Sequence, residues 1–470
     1  MYDHVILISL DTLRSDVLAT TPDKEWPEKY GPIRAPDTAI IDQIAAEGAF
    51  FPNCLAAAPY TSASHASYFT GRFPLRHGVF EFFNRKLSAP TLFTLARRRE
   101  FRVRFKVDFP VILGSFLGFD QDVDDYIVED DEAWLARFRQ SSARSIDFVH
   151  FGGLHIPYGF HNLRFGGRDY VEKVEALERE LGIDGSVDLT DQLVETYRTQ
   201  DDLTLLLRYK RIVQHCYHAR AFGRLFELYL EGAEYFFRRR FAPFWKELTA
   251  ALKGTRSLVV IFGDHGEEYD EESYGHFNTV AEGVLRVPLI FWGDGIPRGR
   301  HLCRVRAVDL LPTLLELLGW PQEVGEALDG ISLAPVLQSN EVARDQPSFA
   351  QAYVANADEF VRFQRRAMDL GQVEGDLPHV LHREVVYDGG LKLVRKNFDW
   401  TLGDVFRAIA PRRQLWRRSG ARWMPFRNEE AEMALEHRLD DYNAKRIAAP
   451  SIGAVSDEVR RQLQNMGYRV

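Results

Sequence analysis

The run His4-Val5-Ile6-Leu7-Ile8-Ser9-Leu10 is apolar almost without interruption. A continuous run of that length, as opposed to an alternating one, predicts a strand buried on both faces of a parallel sheet. Asp11 closes it. Two further runs of the same kind, Ser257 to Phe262 and Val287 to Trp292, lie far downstream, the first closing on Gly263-Asp264-His265-Gly266. Helical periodicity fills the intervals at Pro36 to Glu47, Ser62 to Phe69, Leu92 to Arg99 and a long block from Tyr170 to Lys253. Strands interleaved with helices predict an α/β domain with a parallel sheet. In such sheets ligands gather beyond the carboxyl ends of the strands. Asp11 and Asp264 both fall there, which points to a metal site; the competing reading makes each a turn or helix-capping residue.

Past about Pro347 the apolar runs shorten. Glu384 to Tyr387 and Leu391 to Val394 flank Asp388-Gly389-Gly390, a β-hairpin pattern. A smaller α+β C-terminal domain is therefore expected over 347–470, with a helix from Asn428 to Leu439. The main domain is expected over 1–346, with a helical insertion at about 166–256 that caps a pocket.

Composition narrows the classes. A chain of 470 residues, 45% hydrophobic, has enough apolar surface for one large core or a main domain with an appended one. The formal net charge of −9 gives no electrostatic reason to bind nucleic acid. Cys54, Cys216 and Cys303 are odd in number and widely spaced, which fits neither a disulfide framework nor a paired zinc pattern and favours reduced thiols. The first strand starts almost at Met1, leaving no room for a secretory signal. No run reaches the roughly 18 apolar residues of a membrane span. The expectation is a cytoplasmic protein without a transmembrane anchor.

The strongest local chemistry lies between Ala58 and Pro74. A short helix starting near Ser62 and stopped at Gly71 sets Thr61 at its N-terminus, where free N–H groups and the helix dipole favour an anion. His65, four residues on, shares that helix face. From pattern alone the alternative stands equally: Thr61 or Ser62 as an ordinary cap, His65 as a surface residue. His215 and His218 are three apart within the helical block, with no strand end near them, and read as structural. Arg238 to Arg240 follow Tyr235 to Phe237, and Arg412, Arg413, Arg417, Arg418 and Arg422 interleave with Trp416 and Trp423. Such stretches are solvated faces, contacts of a homo-oligomer, or surfaces for phosphorylated glycans or lipid head groups.

Six segments, in order, resemble the sulfatase-like hydrolases of the alkaline phosphatase superfamily. Leu7 to Asp16 looks like the opening strand and first metal ligand of that family. Thr61 to Gly78 resembles its nucleophile segment, and Gly153-Leu154-His155-Ile156-Pro157-Tyr158 the loop that brings a histidine to the substrate. Gly263 to Glu267 with Gly275-His276 and Leu285 to Leu289 resembles the second metal segment. Asp309 to Leu315 and Leu328 to Leu333 match later structural stretches. The resemblance implies that fold: a central, mostly parallel sheet flanked by helices. It also implies one divalent ion (Mn²⁺, Mg²⁺, Zn²⁺ or Ca²⁺) held by Asp11, Asp264 and His265, with the Thr61 hydroxyl completing the shell as nucleophile. His155 and His276 would bind ester oxygens or protonate the leaving alkoxide, and His65 would support the nucleophile. Coordination to a cation would make the weakly nucleophilic threonine competent near neutral pH.

The departures from the sulfatase pattern bear on substrate. Sulfatases of this kind carry Cys or Ser in a Cys/Ser-x-Pro-x-Arg frame that becomes formylglycine, whereas the frame here is Thr61-Ser62-Ala63-Ser64-His65, and threonine cannot form that aldehyde. His65 stands for the arginine, His276 for a lysine, and Thr12 where a second acidic ligand often sits. The usual lysine and histidine after the second strand have only Lys106 and Asp108 as counterparts, in poor register. Threonine nucleophiles in the superfamily accompany phosphate esters. The reading is therefore a phosphate-ester hydrolase or transferase acting on a small-molecule, glycan or lipid-head-group ester. Formylglycine sulfatase chemistry and a degenerate protein that only binds a phosphorylated or sulfated ligand are the alternatives.

Overall fold

The computed structural model describes residues 2–80, 86–160, 163–186, 200–276, 278–320, 327–339, 345–353, 381–401, 405–420 and 422–447. Its strands in chain order are β1 (His4–Leu10), β2 (Ala49–Leu55), β3 (Arg102–Val107), β4 (Asp125–Val128), β5 (Ser145–Phe151), β6 (Ser257–Phe262), β7 (Glu268–Tyr269), β8 (Tyr274–Gly275), β9 (Arg286–Gly293), β10 (Gly299–Arg300) and β11 (Val305–Arg306). A second group follows, β12 (Ser348–Tyr353), β13 (Leu381–Asp388), β14 (Leu391–Thr401), β15 (Val405–Ser419) and β16 (Arg422–Pro425). The main sheet runs β10-β2-β9-β6-β1-β5-β3-β4, with β11 also on β2.

All seven residues of β1 are buried, as its unbroken apolar run requires of a central strand. Its side chains alternate between two cores. Val5 and Leu7 join Phe69, Phe105, Phe148 and Leu289 on one face; Ile6, Ile8 and Leu10 join Phe151, Tyr229 and Phe236 on the other. β5 and β6 flank β1 in parallel, with Ser9 opposite both His150 and Phe262. That register brings the carboxyl ends of three strands together, so the residues after Leu10, Phe151 and Phe262 form one rim.

The sheet is mixed, not wholly parallel. β9, expected as another parallel strand, runs antiparallel to β6 and β2. The chain leaves β6 and returns through the small β7–β8 ribbon and one helical turn at Glu282–Leu285. β9 therefore starts at the edge where β6 ended, with Phe262 opposite Leu289, and no crossover to the far edge precedes it.

Helices Ala39–Glu47, Thr61–Thr70, Leu92–Arg98 and Asp131–Gln140 cover the sheet. The long helical block resolves into Leu163–Leu181, Gln200–His218, Phe222–Phe236, a π-helical turn Phe237–Phe241 and Ala242–Ala251; its residues 187–199 lie outside the described ones. Strands β12 to β16 form a separate antiparallel meander. Asp388 pairs with Leu391 around Gly389-Gly390, and Gly389 sits at φ +57°, where a side chain would be strained. Asn428 caps the helix Glu429–Asn443 by accepting the Ala431 N–H. That helix seats Leu435 and Leu439 on Val386, Leu393 and Leu415. Residues 354–380 and 448–470 of this region lie outside the described ones. Among the described residues no helix is long and apolar enough to cross a membrane, and Cys54, Cys216 and Cys303 form no disulfide.

Candidate metal and nucleophile site

Asp11 leaves β1 with its N–H donating to the Phe151 carbonyl at 2.9 Å. Thr12 then adopts φ +66°, a left-handed conformation that costs a β-branched residue roughly 1–3 kcal/mol. Three hydrogen bonds hold it there. The Thr12 hydroxyl donates to Asp11 Oδ1 at 2.6 Å, its N–H donates to Asp264 Oδ1 at 3.1 Å, and the Tyr229 hydroxyl donates to its carbonyl at 2.8 Å. Where relatives often carry a second acidic ligand, this chain has a side chain that orients the first.

Thr61 opens the helix Thr61–Thr70, with Tyr60 extended before it and Gly71 left-handed after it. All ten helical residues are buried, so this N-terminus faces the interior and not solvent. Thr61 Oγ1 lies 3.3 Å from Asp11 Oδ2 and 3.3 Å from His265 Nε2. The Ser64 hydroxyl donates to the Asp264 carbonyl at 2.7 Å, pinning the helix to the second segment. His265 Nδ1 contacts the Gly266 carbonyl at 3.1 Å. A carbonyl only accepts, so Nδ1 carries the hydrogen and Nε2 turns its lone pair toward Thr61 and the carboxylates.

One ligand atom each from Asp11, Asp264 and His265 lies within 4.8 Å of the others, and all three residues are buried. Asp264 Oδ2 is buried with no hydrogen-bond partner. Burial and the adjacent Asp11 charge push the Asp264 carboxyl well above its ordinary range. Two carboxylates enclosed together with an imidazole lone pair, one oxygen unsatisfied, fit a divalent cation, whose charge would offset their repulsion. Oxygen with one nitrogen accommodates Mg²⁺, Mn²⁺, Ca²⁺ or Zn²⁺.

The remaining predicted histidines surround this group in different ways. The His276 ring lies tilted against His265 with centroids 4.2 Å apart, and the His155 ring centroid lies 5.4 Å from that of His276. Burial lowers both, His155 to about 4 and His276 well below the usual imidazole range, so both are neutral N–H donors near pH 7. His65 is gathered in but faces elsewhere: Nδ1 contacts the Thr61 carbonyl at 2.7 Å and Nε2 the Ser9 hydroxyl at 2.8 Å. It braces the Thr61 backbone, not its hydroxyl, because the i to i+4 spacing places the ring over the preceding turn. Burial lowers it to about 3.

Three neighbours have no part in the sequence reading. His150 Nε2 is 3.0 Å from Asp11 Oδ2. Glu267, pushed up to about 7 by burial, contacts His276 Nδ1 at 3.2 Å and accepts from the Tyr158 hydroxyl at 3.2 Å. Ser9 holds His65. Glu267 stood inside a recognised motif, but nothing local marks His150 on an apolar strand. Lys106 and Asp108 are buried behind His150, in an ionic cluster with Asp131 and Arg240. His215 and His218 are exposed and belong to no metal-competent group among the described residues.

The site draws its parts from two stretches that separate family models also match. The model described as Type I phosphodiesterase / nucleotide pyrophosphatase covers residues 5–158, and the one described as Sulfatase covers 244–320. A choline-sulfatase of Rhizobium meliloti (strain 1021) is 36% identical over 116 residues, 24% of this chain and 22% of its own length. The low-salt glycan biosynthesis sulfotransferase Agl7 of Haloferax volcanii is 26% identical over 305 residues, 63% of this chain and 60% of its own length. The chain thus spans less than two thirds of either curated relative. The structure of the phosphonate monoester hydrolase from Silicibacter pomeroyi superposes with a TM-score of 0.61 at 15% identity, covering 94% of this chain and 96% of that one, a likeness of fold. The fold, the ordered motifs and these partial matches agree in making the chain similar to the sulfatase-like members of the alkaline phosphatase superfamily.

Proposed function

We propose that the chain is a divalent-metal-dependent hydrolase or transferase of phosphate esters that works through Thr61. The observation that carries this reading is the Thr61 hydroxyl at 3.3 Å from both Asp11 Oδ2 and His265 Nε2, at the N-terminus of a buried helix. Asp11, Asp264 and His265 would hold the cation. Bound there, it supplies charge that lowers the hydroxyl pKa of the threonine and neutralises ester oxygens.

The chain's own groups account for the rest. The N–H groups at the helix start face the anionic end of the ester. The Thr61 oxygen bonds to phosphorus as the bond to the alcohol breaks, giving a phosphothreonine, and its proton has an acceptor in Asp11 Oδ2 at 3.3 Å. His155 and His276 donate N–H hydrogen bonds to the ester oxygens. An arriving dianion raises their basicity, so that one of them takes up a proton from solvent as the ester binds and passes it to the departing alcohol. Water, or an acceptor hydroxyl in the transfer mode, then cleaves the phosphothreonine and returns that proton. The units 1–346 and 347–470 are read as catalytic and accessory domains, and the helices between about 166 and 256 as the cap that selects the alcohol.

The second reading is sulfuryl hydrolysis or transfer at the same threonine. It is favoured by the long alignment with a protein named as a glycan biosynthesis sulfotransferase. Nitrophenyl phosphate, phosphodiester, phosphonate and sulfate esters, offered to metal-stripped protein resupplied with single cations, separate the two. Phosphate or phosphonate turnover absent from Thr61→Ala supports the first, and sulfate turnover alone the second. No turnover of any ester with any cation would favour a binding protein.

A further inference from the structure

We propose that His150 is a positioning residue that orients Asp11, and that the buried cluster of Lys106, Asp108, Asp131 and Arg240 fixes it for that task. The inference rests on the reading of Asp11 as a cation ligand and adds a part the sequence motifs do not contain.

His150 lies on β5 opposite Ser9 of β1, so its ring reaches the end of β1, where Nε2 stands 3.0 Å from Asp11 Oδ2. Nδ1 accepts the backbone N–H of Asp108 at 3.3 Å. A neutral imidazole has one lone pair. That lone pair is engaged at Nδ1, so Nε2 carries the hydrogen and donates to Asp11. The same count excludes His150 as a metal ligand through Nε2, because no lone pair is left there. Orienting a ligating carboxylate by an outer hydrogen bond is the remaining role, and such bonds fix which oxygen is offered to the ion.

The cluster behind His150 grips it at two points. Lys106 Nζ donates to the His150 carbonyl at 2.7 Å and pairs with Asp108 at 2.9 Å and Asp131 at 2.8 Å. Arg240, turned inward by the π-helical turn Phe237–Phe241 while Arg238 and Arg239 stay exposed, makes bonds of 2.6 and 3.0 Å to Asp108 and of 2.8 and 3.0 Å to Asp131. Asp108 Oδ2 also accepts the N–H of Gly152, just ahead of the loop carrying His155. Two cations against two carboxylates, all buried, make a neutral and rigid clamp. It holds the Asp108 N–H in place, and so the tautomer of His150.

The test uses the full chain and two readouts. Calorimetric titration with Zn²⁺ compares wild type, His150→Ala, His150→Gln and Asp264→Asn. The expected result is affinity reduced about 10- to 100-fold in His150→Ala, a smaller loss in His150→Gln, whose amide still offers an N–H, and no binding in Asp264→Asn. Histidine-selective ¹⁵N NMR of wild type is expected to give His150 as the Nε2–H tautomer before and after Zn²⁺. His150→Ala with wild-type affinity overturns the inference while leaving the cation reading intact. An Nδ1–H tautomer, or Zn²⁺ bonded to Nε2, overturns it even if His150→Ala fails to fold. Wild type without Zn²⁺ affinity, alongside Asp264→Asn unchanged from it, overturns the cation reading and the inference together.

Discussion

The hydroxyl of Tyr60 accepts the N–H of Tyr353 at 2.5 Å and donates to its carbonyl at 2.7 Å. The residue before Thr61 is thus hydrogen-bonded to the first strand of the second sheet, and both tyrosines are buried. Tyr60→Phe removes both bonds with little change in shape. It is expected to lower stability by about 1–3 kcal/mol, read by urea unfolding, and to reduce ester turnover by loosening the backbone under Thr61. Unchanged stability would mean the second sheet does not brace the site.

Burial and the Asp11 charge push the Asp264 carboxyl well above its ordinary range, so the metal-free chain bears the cost of either ionising it or holding it protonated. Asp264→Asn should raise the Tm of chelator-treated protein, a gain on the order of 1–2 kcal/mol. It should also abolish the rise in Tm that cations give wild type, about 2.7 kcal/mol at a hundredfold excess over Kd. Thermal scans with and without chelator read both effects. A cation-induced rise that survives in Asp264→Asn would contradict its ligand role.

The parts legible in the sequence were those in which one short segment carries both shape and chemistry. β1 ended at Asp11, Gly263-Asp264-His265 closed β6, and Asp388-Gly389-Gly390 turned a hairpin. What could not be read depends on pairing between distant segments. His150 looks like a polar lapse in a strand until the β1–β5 register sets it beside Asp11. Lys106 and Asp108 found no role because their partner Arg240 lies 132 residues beyond Asp108, inside a run that reads as a basic surface patch. The antiparallel course of β9 follows from where its connection starts, which no periodicity reveals.

His77 Nε2 donates to Ser67 Oγ at 2.9 Å and Nδ1 accepts the Val79 N–H at 3.2 Å. Burial, with the nearby Arg72 charge, lowers it to about 3. The folded chain therefore disfavours the imidazolium that the unfolded chain accepts below about 6.5. This contribution to stability is complete above that pH and declines as pH falls towards about 3, by at most ~1.4 kcal/mol per pH unit. Urea unfolding at stepped pH should show a shallower acid limb for His77→Gln than for wild type; identical limbs would contradict the assignment.

His155 and His276 are assigned to the leaving alcohol, and a nitrophenolate needs little help to depart. His155→Ala or His276→Ala should reduce kcat about 10²- to 10⁴-fold with an alkyl phosphate but far less with a nitrophenyl ester. A loss independent of the leaving group would place both residues in binding instead.

In the proposed mechanism Thr61 carries the transferred group. Protein loaded with Mn²⁺ and quenched in acid during turnover of a nitrophenyl phosphate or phosphonate is digested and its peptides weighed. The expected result is a phosphoryl or phosphonyl increment on the peptide containing Thr61, absent without cation and absent in Thr61→Ala, whose turnover falls at least about 10³-fold. Turnover that persists in Thr61→Ala, or an increment on another residue, would contradict it.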